Sequence, residues 1–210
     1  MIPKKILALA VALGPTTLSA EGFDVGISYS QETGTITSGT TVIDMDVNGY
    51  ALGASIDVSD NVFLSLAYGS GNAKATVSGA SVDLDMSASQ IGVGYYISND
   101  LNEMAGTGSA NGIGLALQSS EVSVGSISQK VNGESLIYAA SFAVAPGVTT
   151  SISASTPFDS FGSSYGMDLS LGYYFSDKTA LSISYGIGKA DDDGTKTDTS
   201  DFGIGLSFMN

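Results

Sequence analysis

The chain has no cysteine, no histidine and no tryptophan, and all seven of its basic residues are lysine. Without cysteine there is no disulfide framework and no thiol to carry a lipid anchor. Without histidine the side chain most often recruited for general acid/base work and metal binding near neutral pH is missing. Seven lysines against 21 acidic residues give a net charge of −14, the wrong sign for a partner rich in phosphate. No nucleic-acid partner is expected, and no apolar run after Glu21 has the length of a membrane-crossing helix.

What is present begins with MIPKKILALAVALGPTTLSA, where Lys4 and Lys5 precede a short apolar run, Ile6 to Leu13, then Gly14-Pro15 and a Leu-Ser-Ala ending. That layout is a secretory signal peptide, with cleavage expected after Ala20. The run is less than half the ~20 residues a transmembrane anchor needs. The domain organisation read from this is a signal peptide, 1–20, and one domain, 21–210. The mature chain keeps five lysines against 21 acidic residues.

From Glu21 onward the periodicity is two. Phe202, Ile204, Leu206 and Phe208 fall on one face of their strand; so do Phe23, Val25, Ile27 and Tyr29, then Val62, Leu64, Leu66 and Tyr68, and Leu181, Ile183, Tyr185 and Ile187. The opposite faces read Asp24, Gly26, Ser28; Ser65, Ala67, Gly69; Ser182, Ser184, Gly186. A soluble sandwich would turn long polar side chains to water there. Bulky apolar groups on one side and tiny ones on the other fit a sheet that closes with lipid outside and a confined interior, because in hydrocarbon every backbone polar group must be bonded within the protein. Tyr29, Tyr68 and Tyr185 each lie eight residues after Glu21, Asp60 and Asp177. Eight tilted residues rise roughly 20 Å, comparable with the ~25 Å apolar band whose rims carry aromatic girdles. The three tyrosines are expected at one height.

SDNVFLSLAYGSGNA from Ser59 returns as SDKTALSISYGIGKA from Ser176, and DMDVNGYALGASIDVSD from Asp44 resembles DLDMSASQIGVGYYISN from Asp83. The spacings, 117 and 39, stand in the ratio three to one, so one hairpin takes about 39 residues and the mature chain holds close to ten strands. Direct placement gives strands near 22–31, 44–58, 61–76, 82–98, 111–124, 134–145, 147–156, 164–176, 179–190 and 199–209. The fold class read here is all-β: a closed antiparallel transmembrane barrel, an up-and-down meander of about ten strands, with eight as the alternative. Short turns fall at 59–61, 145–147 and 176–178, and longer polar loops at 32–43, 125–133, 157–163 and 191–198. Segment 99–111 is long on the side where turns should be short. The apolar parity changes between Val47 and Tyr50 and between Met86 and Ile91, read as bulges at the membrane rim.

Taken together, the signal peptide, the tyrosine-bearing hairpins and the ending resemble small bacterial outer-membrane β-barrels, the OmpA-type, OmpW-type and opacity-type group, with a looser likeness to general porins. Asp201, Gly203, Leu206 and Phe208 match in order the polar, glycine, apolar and aromatic positions of that group's assembly signal, although Met209 and Asn210 follow where the group ends on the aromatic. The resemblance covers the mature chain. It implies the outer membrane as location, and the bilayer and the outer-membrane assembly machinery as partners.

Chemistry-bearing motifs are few. The Asp191–Gly194 run with Asp198 could gather a hard cation, but the spacing is not that of an EF-hand and a solvated loop is the better reading. No cofactor and no resident metal is expected, and outer-membrane enzymes of similar fold use a catalytic histidine that this chain lacks, so no catalytic activity is expected either. Asp24, Asp57, Asp168 and Asp201 point inward by parity, and Asp44, Asp46, Asp83 and Asp85 are assigned inward near the rim. With no lysine on those faces, the expectation is a water-filled acidic interior that passes small cations or small polar solutes. An equally open reading is that the acidity reflects a saline habitat, and the alternative function is a non-conducting surface or structural barrel acting through its loops in adhesion or envelope integrity.

Overall fold

A computed structural model describes residues 22–158, 163–192 and 194–209. The expected signal peptide lies outside the described residues. Ten strands run in chain order: β1 (Phe23–Ser38), β2 (Thr41–Ser59), β3 (Val62–Val77), β4 (Ala80–Asn99), β5 (Ser109–Val124), β6 (Ile127–Ala145), β7 (Val148–Pro157), β8 (Ser164–Ser176), β9 (Thr179–Asp192) and β10 (Thr195–Met209). Each pairs antiparallel with its sequence neighbours, and β10 closes on β1 from Asp24↔Met209 to Ser38↔Thr195. The sheet is therefore a closed meander with no free edge, the larger of the two expected counts; among the described residues there is no helix.

Along the half of the wall nearest the two chain ends, the terminal half, burial alternates as a lipid-facing barrel requires. Ile27, Leu52, Leu66, Ile91, Leu169 and Ile204 are exposed on the outside. The lipid-facing Thr150 and Thr156 donate their hydroxyls to the carbonyls of Ser170 (3.1 Å) and Ser164 (2.9 Å), so neither is left unbonded against hydrocarbon.

The distal half overturns several expectations. Segments 32–43, 125–133 and 191–198 are not loops. They are strand continuations, the first two joined by tight tips at 39–40 and 125–126, while β9 runs to Asp192 and β10 starts at Thr195. Threonine is rich in two of them (Thr33, Thr35, Thr37; Thr195, Thr197), and a β-branched residue suits a strand even where it is polar. No bulge interrupts β2 between Val47 and Tyr50 or β4 between Met86 and Ile91; the ladders run unbroken through both. The register shifts fall instead at Asp57/Ser59, Tyr96/Ser98, Ala143/Ala145 and Tyr174/Ser176, one beside each terminal-side turn. Unbroken parity places Asp44, Asp46, Asp83 and Asp85 outside, where all four are exposed, which corrects their inward assignment. Their apolar neighbours turn inward: Ala73, Leu84, Met86 and Val122 form a buried cluster with Met45, Val47, Ala75 and Val131 around it. Above the belt the wall is thus polar outside and apolar inside, the pattern of a barrel standing in water.

The expected long segment 99–111 is a loop over 100–108 on the terminal side, pinned by an Asn102↔Thr107 bridge. The expected loop 157–163 lies largely outside the described residues.

Candidate functional site

The lumen of the terminal half is built from small inward residues, because the same alternation that sends leucine and isoleucine to lipid sends Gly, Ser and Ala inside. Into that space the parity of β1, β2, β8 and β10 delivers Asp24, Asp57, Asp168 and Asp201, as the sequence places them. Asp24, the second residue of β1 and opposite Met209 at the end of β10, is buried at 6% exposed close to the terminal mouth. Asp57 accepts hydrogen bonds from the Gly22 amide (3.0 Å) and the Tyr96 hydroxyl (3.2 Å). Asp168 accepts one from the Ser153 hydroxyl at 3.4 Å.

One ladder row gathers the acids. Asp168 and Asp201 flank Gly186 on β9, and Asp201 stands opposite Glu32 on β1. A Cβ at Gly186 would overlap carboxylate oxygens of both Asp201 and Asp168, so the glycine is what lets the two acids converge. Glu32 is buried and belongs to this row, although the sequence reading leaves it in a loop. One more step along the face of Asp24, Gly26, Ser28 and Ser30 would have found it. All five described lysines, Lys74, Lys130, Lys178, Lys189 and Lys196, are exposed, and none shares the lumen with these acids. Among the described residues no group of three or more Asp or Glu is placed to hold a metal ion. In the 191–194 run, Asp191 and Asp192 lie in β9 rather than in a loop; Asp191 is exposed, and Asp198 pairs with Lys189 at 3.3 Å.

Among the described residues, the free space in the lumen includes two cavities. One of about 90 Å³ is bordered by Asp24, Ser28, Phe63, Tyr96, Ser182 and Ser207. The other, about 40 Å³, is bordered by Glu32, Val47, Gly71, Met86 and Asp201. Toward the distal end the lumen meets the buried cluster around Leu84 and Met86; toward the terminal end it meets a second, formed by Tyr96, Leu101, Ala110 and Ala139 with Phe63 and Ala143 packed on it.

Tyr29, Tyr68 and Tyr185 all face outward, the last two more than half exposed. Tyr185 shares a ladder row with Phe202 and Gln31, and Tyr68 one with Leu52 and Ile27, so their rows cross β1 two residues to either side of Tyr29. A step of about one residue per strand is the slope of a level ring on tilted strands. Tyr29 also packs on Tyr50, with ring centroids 5.0 Å apart. In β10, Asp201 and Gly203 face the lumen, while Leu206 and Phe208 face outward; Phe208 is half exposed opposite Val25.

No family model matches the chain, and no curated protein matches it. Solved structures do. The translocator domain of the autotransporter NalP from Neisseria meningitidis is similar over 96% of this chain and 92% of its own, with a TM-score of 0.55 and 9% identity. The transport unit of the autotransporter AIDA-I from Escherichia coli is similar over 94% of each chain, TM-score 0.49 and 12% identity. The outer membrane protein OprG from Pseudomonas aeruginosa is similar over 90% of this chain and 95% of its own, TM-score 0.48 and 11% identity. Identities this low speak to fold alone. The fold is that of an outer-membrane β-barrel, a closed antiparallel wall with an apolar outer belt.

Proposed function

We propose that this chain is an outer-membrane barrel, exported through its N-terminal signal peptide, that serves as a narrow channel preferring cations, with passage rather than catalysis as its activity. The observation that carries the reading is that five carboxylates, Asp24, Glu32, Asp57, Asp168 and Asp201, turn into the lumen while the described lysines stay outside. In a sealed dry interior charges such as those of Glu32, Asp168 and Asp201 would be very costly without cationic partners. Water beside them removes that cost, and the small neighbouring side chains leave it room. A negative, confined lumen concentrates cations and repels anions.

The test is conductance of refolded protein in planar bilayers, with reversal potentials across a KCl gradient. Cation preference is expected, weakening as the Debye length falls from ~10 Å at 0.1 M to ~3 Å at 1 M salt. Replacing the five acids by Asn and Gln should reduce the preference while leaving the barrel assembled, since lumen substitutions spare the lipid contacts. Anion preference would refute the role given to the acids.

A second reading, a surface-contact barrel, is favoured by one observation: the distal wall carries a polar exterior above the belt, with Asp44, Asp46, Lys74, Asp83 and Lys130 exposed. Silent bilayers with correctly folded protein would select it. Under either reading Phe208 is taken as the aromatic contact for the assembly machinery, so Phe208→Ala should lower the amount reaching the outer membrane. Unchanged levels on membrane fractionation would remove that role.

A further inference from the structure

The loop between β4 and β5 does more than join two strands. Leu101 is 5% exposed because it turns into the barrel and packs on Tyr96, Ala110 and Ala139, with Phe63 and Ala143 beside them. From there the chain runs on to the neighbouring β6–β7 turn. The Glu103 carbonyl accepts the Gly147 amide at 2.8 Å and the Gly106 amide at 3.2 Å, which ties the loop to the β6–β7 turn. Gly106, at φ 70°, presses so closely on the Ala145–Pro146 backbone that a Cβ there would overlap it. Gly108, at φ 82°, lies as closely over the Asp100 carbonyl. On the other side, the Tyr96 hydroxyl reaches Asp57 of β2 at 3.2 Å and its ring leans on Phe63, centroids 4.8 Å apart.

The result is a bar of packed groups running from β2, through the Tyr96 and Phe63 rings and Leu101, to the turn before β7. Among the described residues a cavity of about 90 Å³ remains beside this bar, with Phe63 and Tyr96 on one side, Asp24, Ser182, Gly205 and Ser207 on the other, and Gly53 and Ser65 of β2 and β3 also bordering it.

We propose that the 100–108 loop is a plug in the terminal mouth and that it forces any solute past Asp24, making that one residue the determinant of charge selectivity. This rests on the channel reading, whereas the plug itself is a matter of access and can be tested without conduction. Asp168, Asp201 and Glu32 lie higher in the lumen, where no bar crosses it, and act on the solute less directly.

The chain lacks cysteine, so a single Ser28→Cys, bordering the same cavity, reports access to a small cationic methanethiosulfonate reagent added from the terminal side of reconstituted protein. The Asp100 amide already bonds the Ser109 carbonyl at 3.0 Å, so Leu101–Gly108 can be replaced by Asn-Gly to close a two-residue hairpin. That shortening should raise the labelling rate several-fold, and Leu101→Ser, which keeps the loop but loosens its anchor, should raise it less. Equal rates in all three proteins would overturn the plug. In bilayers Asp24→Asn should abolish most of the cation preference of the full-length loop protein and little of that of the shortened one; an equal loss in both would overturn the assignment to Asp24. If shortening speeds labelling but neither protein conducts, the channel reading fails and the plug stands. If both conduct with equal labelling, the reverse holds.

Discussion

In the terminal half of β2, β3 and β4, Leu52, Leu66 and Ile91 face outward and Gly53, Ala67 and Gln90 face inward; a few residues further along the same strands, Asp46, Asn72 and Asp85 face outward and Val47, Ala73 and Met86 inward. The hydrogen-bond ladder is continuous across the change, so nothing in the backbone marks it. What changes is the solvent outside. Against hydrocarbon, a bulky apolar side chain gains nothing from being inside and a polar one is costly outside, so the lumen takes the small residues. Against water the ordinary rule returns, and the apolar side chains fill the interior as in any soluble core. One wall therefore obeys two opposite patterns, and the crossover near Tyr29, Tyr50 and Tyr68 locates the upper edge of the belt.

The comparison breaks most visibly if a charge is moved across that edge on one strand. Leu64 and Ser70 lie on the same outer face of β3, three outward positions apart and on either side of Tyr68. Leu64→Lys should destabilise the folded barrel by about 2–4 kcal/mol, because an ammonium deep in the belt loses its water. Ser70→Lys should stay within about 0.5 kcal/mol, as an exposed substitution in aqueous surroundings does. Urea unfolding in lipid, followed by the gel-mobility shift of the folded form, measures both. Equal costs would mean the belt does not end where the tyrosines place it.

Inside the wall the order of sensitivity should reverse. Leu84 is 5% exposed in the distal cluster, so Leu84→Ala should cost about 2–4 kcal/mol, the transfer of the lost carbons plus the space they leave. Ala67→Ser, inward in the terminal half and bordering the lumen cavity, should change stability by less than about 0.5 kcal/mol. A small cost for Leu84→Ala in the same unfolding assay would show that the distal interior is wet, and with it that the outer wall is held by its ladders alone.

The closed meander, ten strands and the inward faces of Asp24, Asp57, Asp168 and Asp201 were legible because alternation with tiny partners fixes parity wherever the outer side chain is large. Parity has no sign of its own, however. Reading large as outside and small as inside works for Leu52 and Leu66, but carried past Tyr50 it demands a bulge at Val47 that the ladder does not contain. Stepping by two from Leu52 gives Tyr50, Asn48, Asp46 and Asp44 without a break, so the information was present and the assumption about the solvent concealed it. Glu32 was lost for the same reason: a strand whose outer face reads Gln31, Thr33, Thr35 looks like a loop if every strand is required to be apolar on one side. That segment 99–111 is a loop could be read from its Asn, Asp and Gly content. That it folds inward could not, since Leu101 becomes a core residue only through Tyr96, Ala110 and Ala139, partners on three separate parts of the sequence.

The smallest test concerns the charges that the water-facing half tolerates and the belt does not. Lys74 stands opposite Asp46 on β2 and Asp83 on β4, and Lys130 stands opposite Glu121, while Lys189 and Asp198 approach to 3.3 Å with both side chains more than half exposed. Each lysine of the distal wall thus meets an acid across a ladder, an arrangement that opposes a register slip, because a one-residue shift would carry the lysine to the other face. Cross-strand pairs of opposite charge contribute roughly 0.2–1 kcal/mol each, and exposed ones sit at the low end of that range because solvent screens them. Lys74→Gln removes the cation that faces Asp46 and Asp83 across the two ladders and leaves the two carboxylates on either side of β3. It should therefore cost about 0.5–1 kcal/mol at low salt and close to nothing at ~1 M, where the Debye length is ~3 Å. If the cost persists at high salt, the contribution of Lys74 lies in its aliphatic stem packed along the wall rather than in its charge, and the distal half is held together by the same apolar contacts outside as inside.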